Sequence, residues 1–371
     1  MVEEFVLNSG LSCGFVGLPN VGKTTLFNAL TSAGAPSLNY PFCTIDPNVG
    51  IVDLIDPRIE ILSHLSNSQK MIYASMRFVD IAGLIKGAAK GEGLGNQFLA
   101  HIRETDAIIQ VVRCFEDEDI THVGGRIHPL EDIETINIEL ILADLQTIQK
   151  ILQKLEKRLK GNKDSIALLD VLQKTRDHLD QGCPVRNINL SLEEHLLLKP
   201  YLFLTQKKII YAANVAENDL PSMDNKYVNE LSHYAAKERN AVIPICAKIE
   251  SEISELPEKE RQEFLISLGL KETGLNRLIR TAFDTLGFIT YLTTGEKETR
   301  AWTIHKGTNA AEAAGKIHTD LEKGFIRAEV ISFDDMVKYK GRRGVREAGK
   351  VRYEGRHYIV QDGDVILFLH K

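Results

Sequence analysis

Apolar and polar positions along the chain follow two alternating rhythms. Short β-rich apolar runs ("LSCGFVG", "NVGIVDL", "MRFVDIAG", "AIIQVVRC", "KKIIYAAN" and "NAVIPICA") are separated by stretches whose apolar residues recur at helical spacing. Strands alternating with helices bury both faces of a mostly parallel sheet, which predicts an α/β core. Between the fourth and fifth runs the rhythm changes. Ile138, Ile141, Leu145, Ile148, Leu152, Leu155 and Leu159 are spaced alternately by three and four, with Lys, Gln and Glu on the outer positions. This heptad seam predicts one long helix. "KGNKDS" breaks it, and a second helical stretch with Ile166, Leu169, Leu172 and Leu179 leads back. An antiparallel helical hairpin should therefore project from the sheet as a structural arm.

After "GLNRLIRTAFDTLGF" the pattern changes again: "TYLTTGEKETRAWTI", "FIRAEVISF" and "HYIVQDGDVILFL" read as strands of a small mixed domain around a helix near residues 310–323, with a boundary near Gly287. Within it Lys338, Lys340, Arg342, Arg343, Arg346, Lys350, Arg352 and Arg356 crowd together, opposed locally by Glu347 and Glu354. A solvated charged loop accounts for such a run; its interleaved glycines and Tyr353 also suit a phosphate-rich partner such as RNA.

Composition narrows the picture. The 371 residues, 43% hydrophobic and 26% charged with a formal net charge of −6, suit two or three folded units and exclude a generally basic, nucleic-acid-coating surface. Cys13, Cys43, Cys114, Cys183 and Cys246 show no C-x-x-C spacing, so they read as reduced, mostly packed thiols rather than a disulfide or zinc framework. No apolar stretch reaches the ~20 residues of a membrane span, and "MVEEFVLN" has no leader pattern, so a cytoplasmic protein is expected.

The chemistry is most legible in "GLPNVGKTT", Gly17 to Thr25, which matches G-x-x-x-x-G-K-[ST] between an apolar strand and the helical "TTLFNALTSA". In that context Gly17 and Gly22 let the backbone of Asn20, Val21, Gly22, Lys23, Thr24 and Thr25 turn its N–H groups toward a polyphosphate. Lys23 is expected to neutralise the β- and γ-phosphates, and the Thr24 hydroxyl to ligate Mg²⁺. "FVDIAGL" puts Asp80 where a carboxylate orients metal-bound water, and Gly83 where a backbone N–H meets the γ-phosphate. "YPFCTIDPNVG" offers the Thr44 hydroxyl to the same metal from a closing loop, and "KGAAKGEGLGNQF" reads as a switch segment. Cys43, beside Thr44, is read as a small packing residue. The expected division is a nucleotide-binding domain in two parts, 1–130 and 205–287, interrupted by the helical insertion 131–204 and followed by a C-terminal domain, 288–371.

These motifs together resemble the YchF, or Obg-like ATPase, family of translation-factor-related P-loop GTPases. "GLPNVGKTTLFNAL", "YPFCTIDPNVG", "DIAGLIKGAAKGEGLGNQFL", "NVAE", the coiled-coil insertion and "AAGKIHTDLEKGFIRAEVISF" carry the likeness over nearly the whole chain. It implies a C-terminal TGS domain of β-grasp fold. It also implies a nucleoside-triphosphatase that prefers ATP over GTP and associates with ribosomes, with roles in translation and stress responses.

The base-reading motif bears on that preference. Where GTPases carry Asn-Lys-x-Asp, this chain has Asn214, Val215, Ala216 and Glu217. The extra methylene of Glu217 displaces the carboxylate that accepts guanine N1–H and N2–H, and Val215 replaces the lysine whose stem covers the base. Asn214 can pair with adenine N6 and N7 together, and a lost hydrogen bond costs ~1 to 3 kcal/mol, so ATP is favoured without excluding GTP. The Ala247 N–H of "ICAKIE" should face the purine six-position. Leu84 stands where many relatives place a water-orienting Gln and cannot hydrogen-bond; His122 is a candidate substitute, and His101 or His128 could be proposed as loosely. Slow intrinsic turnover is expected, since partners of such switches supply ~10³ to 10⁵ in rate. A GTPase, and an RNA-binding scaffold with a structural nucleotide site, remain the alternatives.

Overall fold

The computed structural model describes residues 12–33, 48–81, 94–117, 125–156 and 163–371. It divides into two compact units: residues up to Val52 with Arg77–Ala282, and Asp53–Met76 with Phe283–Lys371. Among the described residues the strands are, in chain order, β1 (Ser12–Val16), β2 (Val49–Leu54), β3 (Met71–Ile72), β4 (Ala74–Asp80), β5 (Ala107–Arg113), β6 (Lys208–Asn214), β7 (Ala241–Ile245), β8 (Phe288–Thr294), β9 (Thr299–His305), β10 (Phe325–Ser332), β11 (Arg352–Glu354) and β12 (Asp364–His370).

One sheet has the order β2-β4-β1-β5-β6-β7. Its β4–β1, β1–β5, β5–β6 and β6–β7 pairs are parallel, and the six apolar runs of the sequence supply its six strands. Every residue of β1 and β5 is buried, as strands covered on both faces require. Cys13, Cys114 and Cys246 lie in this core, where burial pushes all three thiols upward and keeps them inert.

The predicted arm is a pair of helices, Pro129–Glu156 and Lys163–Asp180. Ile141, Ile148 and Leu152 pack against Val171, Leu172 and Leu179, with Leu145, Leu155 and Leu169 partly buried beside them. The seam departs from the heptad reading at its ends. Ile138 is 54% and Ile166 48% exposed; at its root the first helix turns Ile133, Ile136 and Leu140 inward instead. Leu159 lies outside the described residues. The root is fixed by Asp144, whose buried carboxylate accepts from the N–H groups of Leu204 at 2.9 Å and Thr205 at 2.8 Å and from the Thr205 hydroxyl at 2.7 Å.

The second unit is a mixed sheet of order β11-β10-β12-β8-β9-β3, antiparallel at β11–β10, β10–β12 and β8–β9 and parallel at β12–β8 and β9–β3. Alternate strand residues serve two cores. Tyr291, Val330, Ile366 and Phe368 pack with the helix Ala310–Ile317; Leu292, Ile331 and Val365 pack with Ile59, Leu62, Met336 and Val345. The helix expected over 310–323 is two, broken where His318 turns extended at φ −162° and ψ 142°.

Two features revise the sequence reading. Residues 53–76 group with the C-terminal part rather than with the first 130 residues. The helix Pro57–Ser66 opens on an Asp56 cap, and Arg58 reaches Asp362 at 2.8 Å and the Thr290 hydroxyl at 3.1 Å. The basic run is not a loop: it forms the short helices Phe333–Lys338 and Arg342–Glu347 and then β11. Its charge is partly matched within the unit, Arg342 and Arg346 by Glu329, Arg343 by Glu347 and Arg352 by Asp364.

Candidate nucleotide site

The phosphate loop leaves β1 at Val16 and enters the helix Lys23–Ala33 through a Leu26 N–H bond to the Gly22 carbonyl at 3.0 Å. No acidic residue stands in that helix's first turn, so its positive end is left to an anion. Gly22 has a φ of 92°, and a Cβ there would also collide with the Asn214 carboxamide. At Gly17 a Cβ would stand 3.0 Å from the Val111 carbonyl and 2.8 Å from the Val21 side chain. Asn20, at φ 64°, is a residue type that tolerates this conformation. The loop is thus shaped by backbone demands and pinned between β5 and Asn214.

Parallel pairing sets Phe15 beside Asp80 and thereby delivers the Asp80 carboxylate to the loop. The Lys23 ammonium contacts it directly, the two side chains being 10% and 13% exposed. Thr24 and Thr25 are exposed at the helix start. A threonine hydroxyl and an aspartate carboxylate are hard oxygen donors, the class that suits Mg²⁺ held jointly by one or two protein groups and substrate phosphates. Thr44, Gly83, Leu84 and His122 lie outside the described residues. His101 is exposed on the helix Leu94–Glu104, and His128 stands 3.9 Å from Glu131.

At the end of β6, Asn214 is 4% exposed. Its Nδ2 donates to the Val21 carbonyl at 2.9 Å, and its Oδ1 accepts from the Ala247 N–H at 2.9 Å. One N–H and one lone pair are therefore committed to the protein. Asn214 thus braces the phosphate loop against the β7 loop. The Ala247 N–H, expected to face the purine, is engaged in that brace. Val215 is buried, so its side chain packs inward, and its N–H donates to Ile245 at 2.9 Å.

Glu217 opens the short helical turn Glu217–Asp219 and pairs with Lys248. The sequence reading passes over Lys248, although it directly follows Ala247 in "ICAKIE". Its bond to Glu217 raises the Lys248 pKa. In the helix Ala247–Glu255, which also carries Lys248, Glu250 is buried and accepts from the N–H groups of Gly274 at 2.6 Å and Leu275 at 3.4 Å. Burial raises its carboxyl to about 7 against the opposing pull of these bonds.

The sequence and the fold both recur in known proteins. A family described as "50S ribosome-binding GTPase" matches residues 12–174, and a YchF-GTPase C-terminal family, described as a protein of unknown function, matches 288–371. A protein of Escherichia coli O157:H7 named "Ribosome-binding ATPase YchF" is 53% identical over 97% of this chain and 99% of its own length. The chain belongs to the YchF family. The Bacillus subtilis YchF of the same name is 51% identical over 96% of this chain and 98% of its own length. The solved YchF GTPase of Schizosaccharomyces pombe superposes with a TM-score of 0.88 at 36% identity, over 97% of this chain and 98% of its own. The YchF fold thus unites the P-loop sheet, helical arm and C-terminal mixed sheet described above. Among the described residues of this YchF chain, no helix is long and apolar enough to cross a membrane.

Proposed function

We propose that this chain is a slow Mg²⁺-dependent ATPase, hydrolysing GTP less well, that works in the cytoplasm as a ribosome-associated switch in translation regulation or stress response. The full-length relatives from Escherichia coli O157:H7 and Bacillus subtilis carry the name "Ribosome-binding ATPase YchF". The observation that carries the reading is the convergence on Asn214 of the phosphate loop, through Val21, and the β7 loop, through Ala247. A triphosphate cradle and a purine pocket are thereby one hydrogen-bonded assembly.

In this reading the loop amides from Asn20 to Thr25, Lys23 and the Gly83 N–H hold the phosphates. Thr24, Thr44 and Asp80 hold Mg²⁺, which when bound neutralises charge on the β- and γ-phosphates. Lys23 exchanges its contact with Asp80 for phosphate oxygens. The base is accommodated by the remaining N–H of Asn214 together with Val215, Glu217 and Ala247. Leu84 has no group to orient water, and His122 is this reading's candidate for that role. The domain assignment is 1–130 without residues 53–76, and 205–287, for the nucleotide-binding parts, 131–204 for the arm, and 288–371 together with residues 53–76 for the TGS-like domain. Ribosomal RNA contact is assigned to the arm and to the C-terminal basic segment, where Lys338, Lys340, Lys350 and Arg356 are exposed.

Titrating ATP and GTP side by side with Mg²⁺ tests the assignment. Tighter ATP binding supports it; tighter GTP binding makes the chain a GTPase, as the Schizosaccharomyces pombe relative is called. A Lys23→Ala variant that loses hydrolysis yet restores growth to a deletion strain would instead point to an RNA-binding scaffold.

A further inference from the structure

Asn214 ties the end of β6 to the segment after β7 from beneath, and a second pair joins those two segments at the surface. Glu217 lies three residues after Asn214, Lys248 lies one after Ala247, and their charged ends meet. A carboxylate at this position decides between purines, because guanine presents N1–H and an N2 amino group as donors while adenine presents neither to it. The change from Asp to Glu lengthens the side chain but does not remove its acceptor oxygens. Something further must keep them from guanine.

We infer that Lys248 is the specificity-determining residue of the base pocket: by pairing with Glu217 it withholds the acceptor that guanine requires, and so leaves adenine the better-accommodated base. This deepens the ATPase reading above and rests on it. The ammonium occupies a carboxylate oxygen and neutralises its charge, so guanine must break an ion pair to gain its two hydrogen bonds. Adenine binds without disturbing the pair. The Lys248 and Glu217 side chains are 67% and 43% exposed, and exposed pairs contribute little to folding stability. Substitutions here should therefore leave the protein folded.

The test is calorimetric titration of the full chain with ATP, GTP and ITP in Mg²⁺. Lys248→Met keeps the apolar stem and removes the charge. GTP should then tighten about five- to tenfold relative to ATP, and ITP, which lacks the N2 amino group, by less. Adding Glu217→Ala to Lys248→Met should cancel the gain, because the freed acceptor is gone. An ATP-to-GTP ratio unchanged by Lys248→Met, or a gain that survives the loss of Glu217, overturns the inference. Failure of the underlying ATPase reading is visible separately: the unsubstituted protein would bind GTP more tightly than ATP, or take up neither.

Discussion

The Asn214 carboxamide donates to the Val21 carbonyl across 2.9 Å, tying the end of β6 to the loop that follows β1. A residue reading only the base would change selectivity when removed, whereas a brace affects every nucleotide. Asn214→Ala should accordingly weaken ATP and GTP binding together, and leave the Val21 carbonyl and Ala247 N–H without this partner. The loss is on the order of 1–3 kcal/mol per buried unpaired group, read as parallel shifts in both dissociation constants and a lower Tm. A selective loss of ATP alone would show base reading to be the dominant role.

Lys23 and Asp80 illustrate a different coupling, between stability and binding. With both side chains largely buried, Lys23→Ala leaves an uncompensated carboxylate and should destabilise the fold by about 2 kcal/mol as well as abolish tight Mg²⁺-triphosphate binding. Adding Asp80→Ala should restore most of the stability but none of the binding. Urea unfolding and nucleotide titration on the parent, Lys23→Ala, Asp80→Ala and the double variant give the double-mutant cycle. Additive stability losses would mean that the pair contributes nothing.

The phosphate loop is legible from sequence because its chemistry is local: Gly17, Gly22, Lys23 and Thr24 carry backbone and charge requirements within one short segment. The arm is legible where one helix meets its partner, at Ile141, Ile148 and Leu152. It is misread at Ile138 because the root packs through a different stripe, which periodicity alone cannot reveal. Lys248 escapes notice since its partner Glu217 belongs to another loop, and an ion pair leaves no spacing signature. The basic run reads as a loop because Glu329 and Asp364, which match its arginines, come from β10 and the start of β12. Each failure is a tertiary contact that local pattern does not encode.

Glu250 gives the fold a pH dependence with a definite sign. Its carboxyl is raised by burial from an ordinary 4.5 to about 7, so between those values the folded chain holds a proton that the unfolded chain has lost. Stability from this group is therefore full below about pH 4.5, declines as pH rises toward 7, and levels off beyond. Glu250→Gln keeps an acceptor for the Gly274 N–H and cannot ionise. It should match the parent protein near pH 5 and exceed it near pH 8 by up to about 3 kcal/mol. Chemical denaturation at several pH values checks this; a pH-independent difference would place the cause elsewhere.

The most distinctive expectation concerns residues 53–76. Ile59 and Leu62 lie in the same core as Leu292, Ile331, Met336 and Val365, β3 closes the edge beside β9, and Arg58 ties Asp56 to Asp362. A fragment of residues 288–371 loses all three at once: it exposes one apolar face of its sheet, leaves an open strand edge, and strands Asp362 without its arginine. Such a fragment should be molten or aggregate, with poor amide dispersion in heteronuclear NMR spectra and no cooperative unfolding. Linking residues 53–76 to residues 283–371 through a flexible Gly/Ser segment should recover a dispersed spectrum and a sharp transition. Within that linked protein, Arg58→Met should cost about 2 kcal/mol through the lost charged hydrogen bonds. Tests of RNA or ribosome binding by the C-terminal unit therefore belong on the linked form, and cooperative folding of residues 288–371 alone would refute this account of the unit.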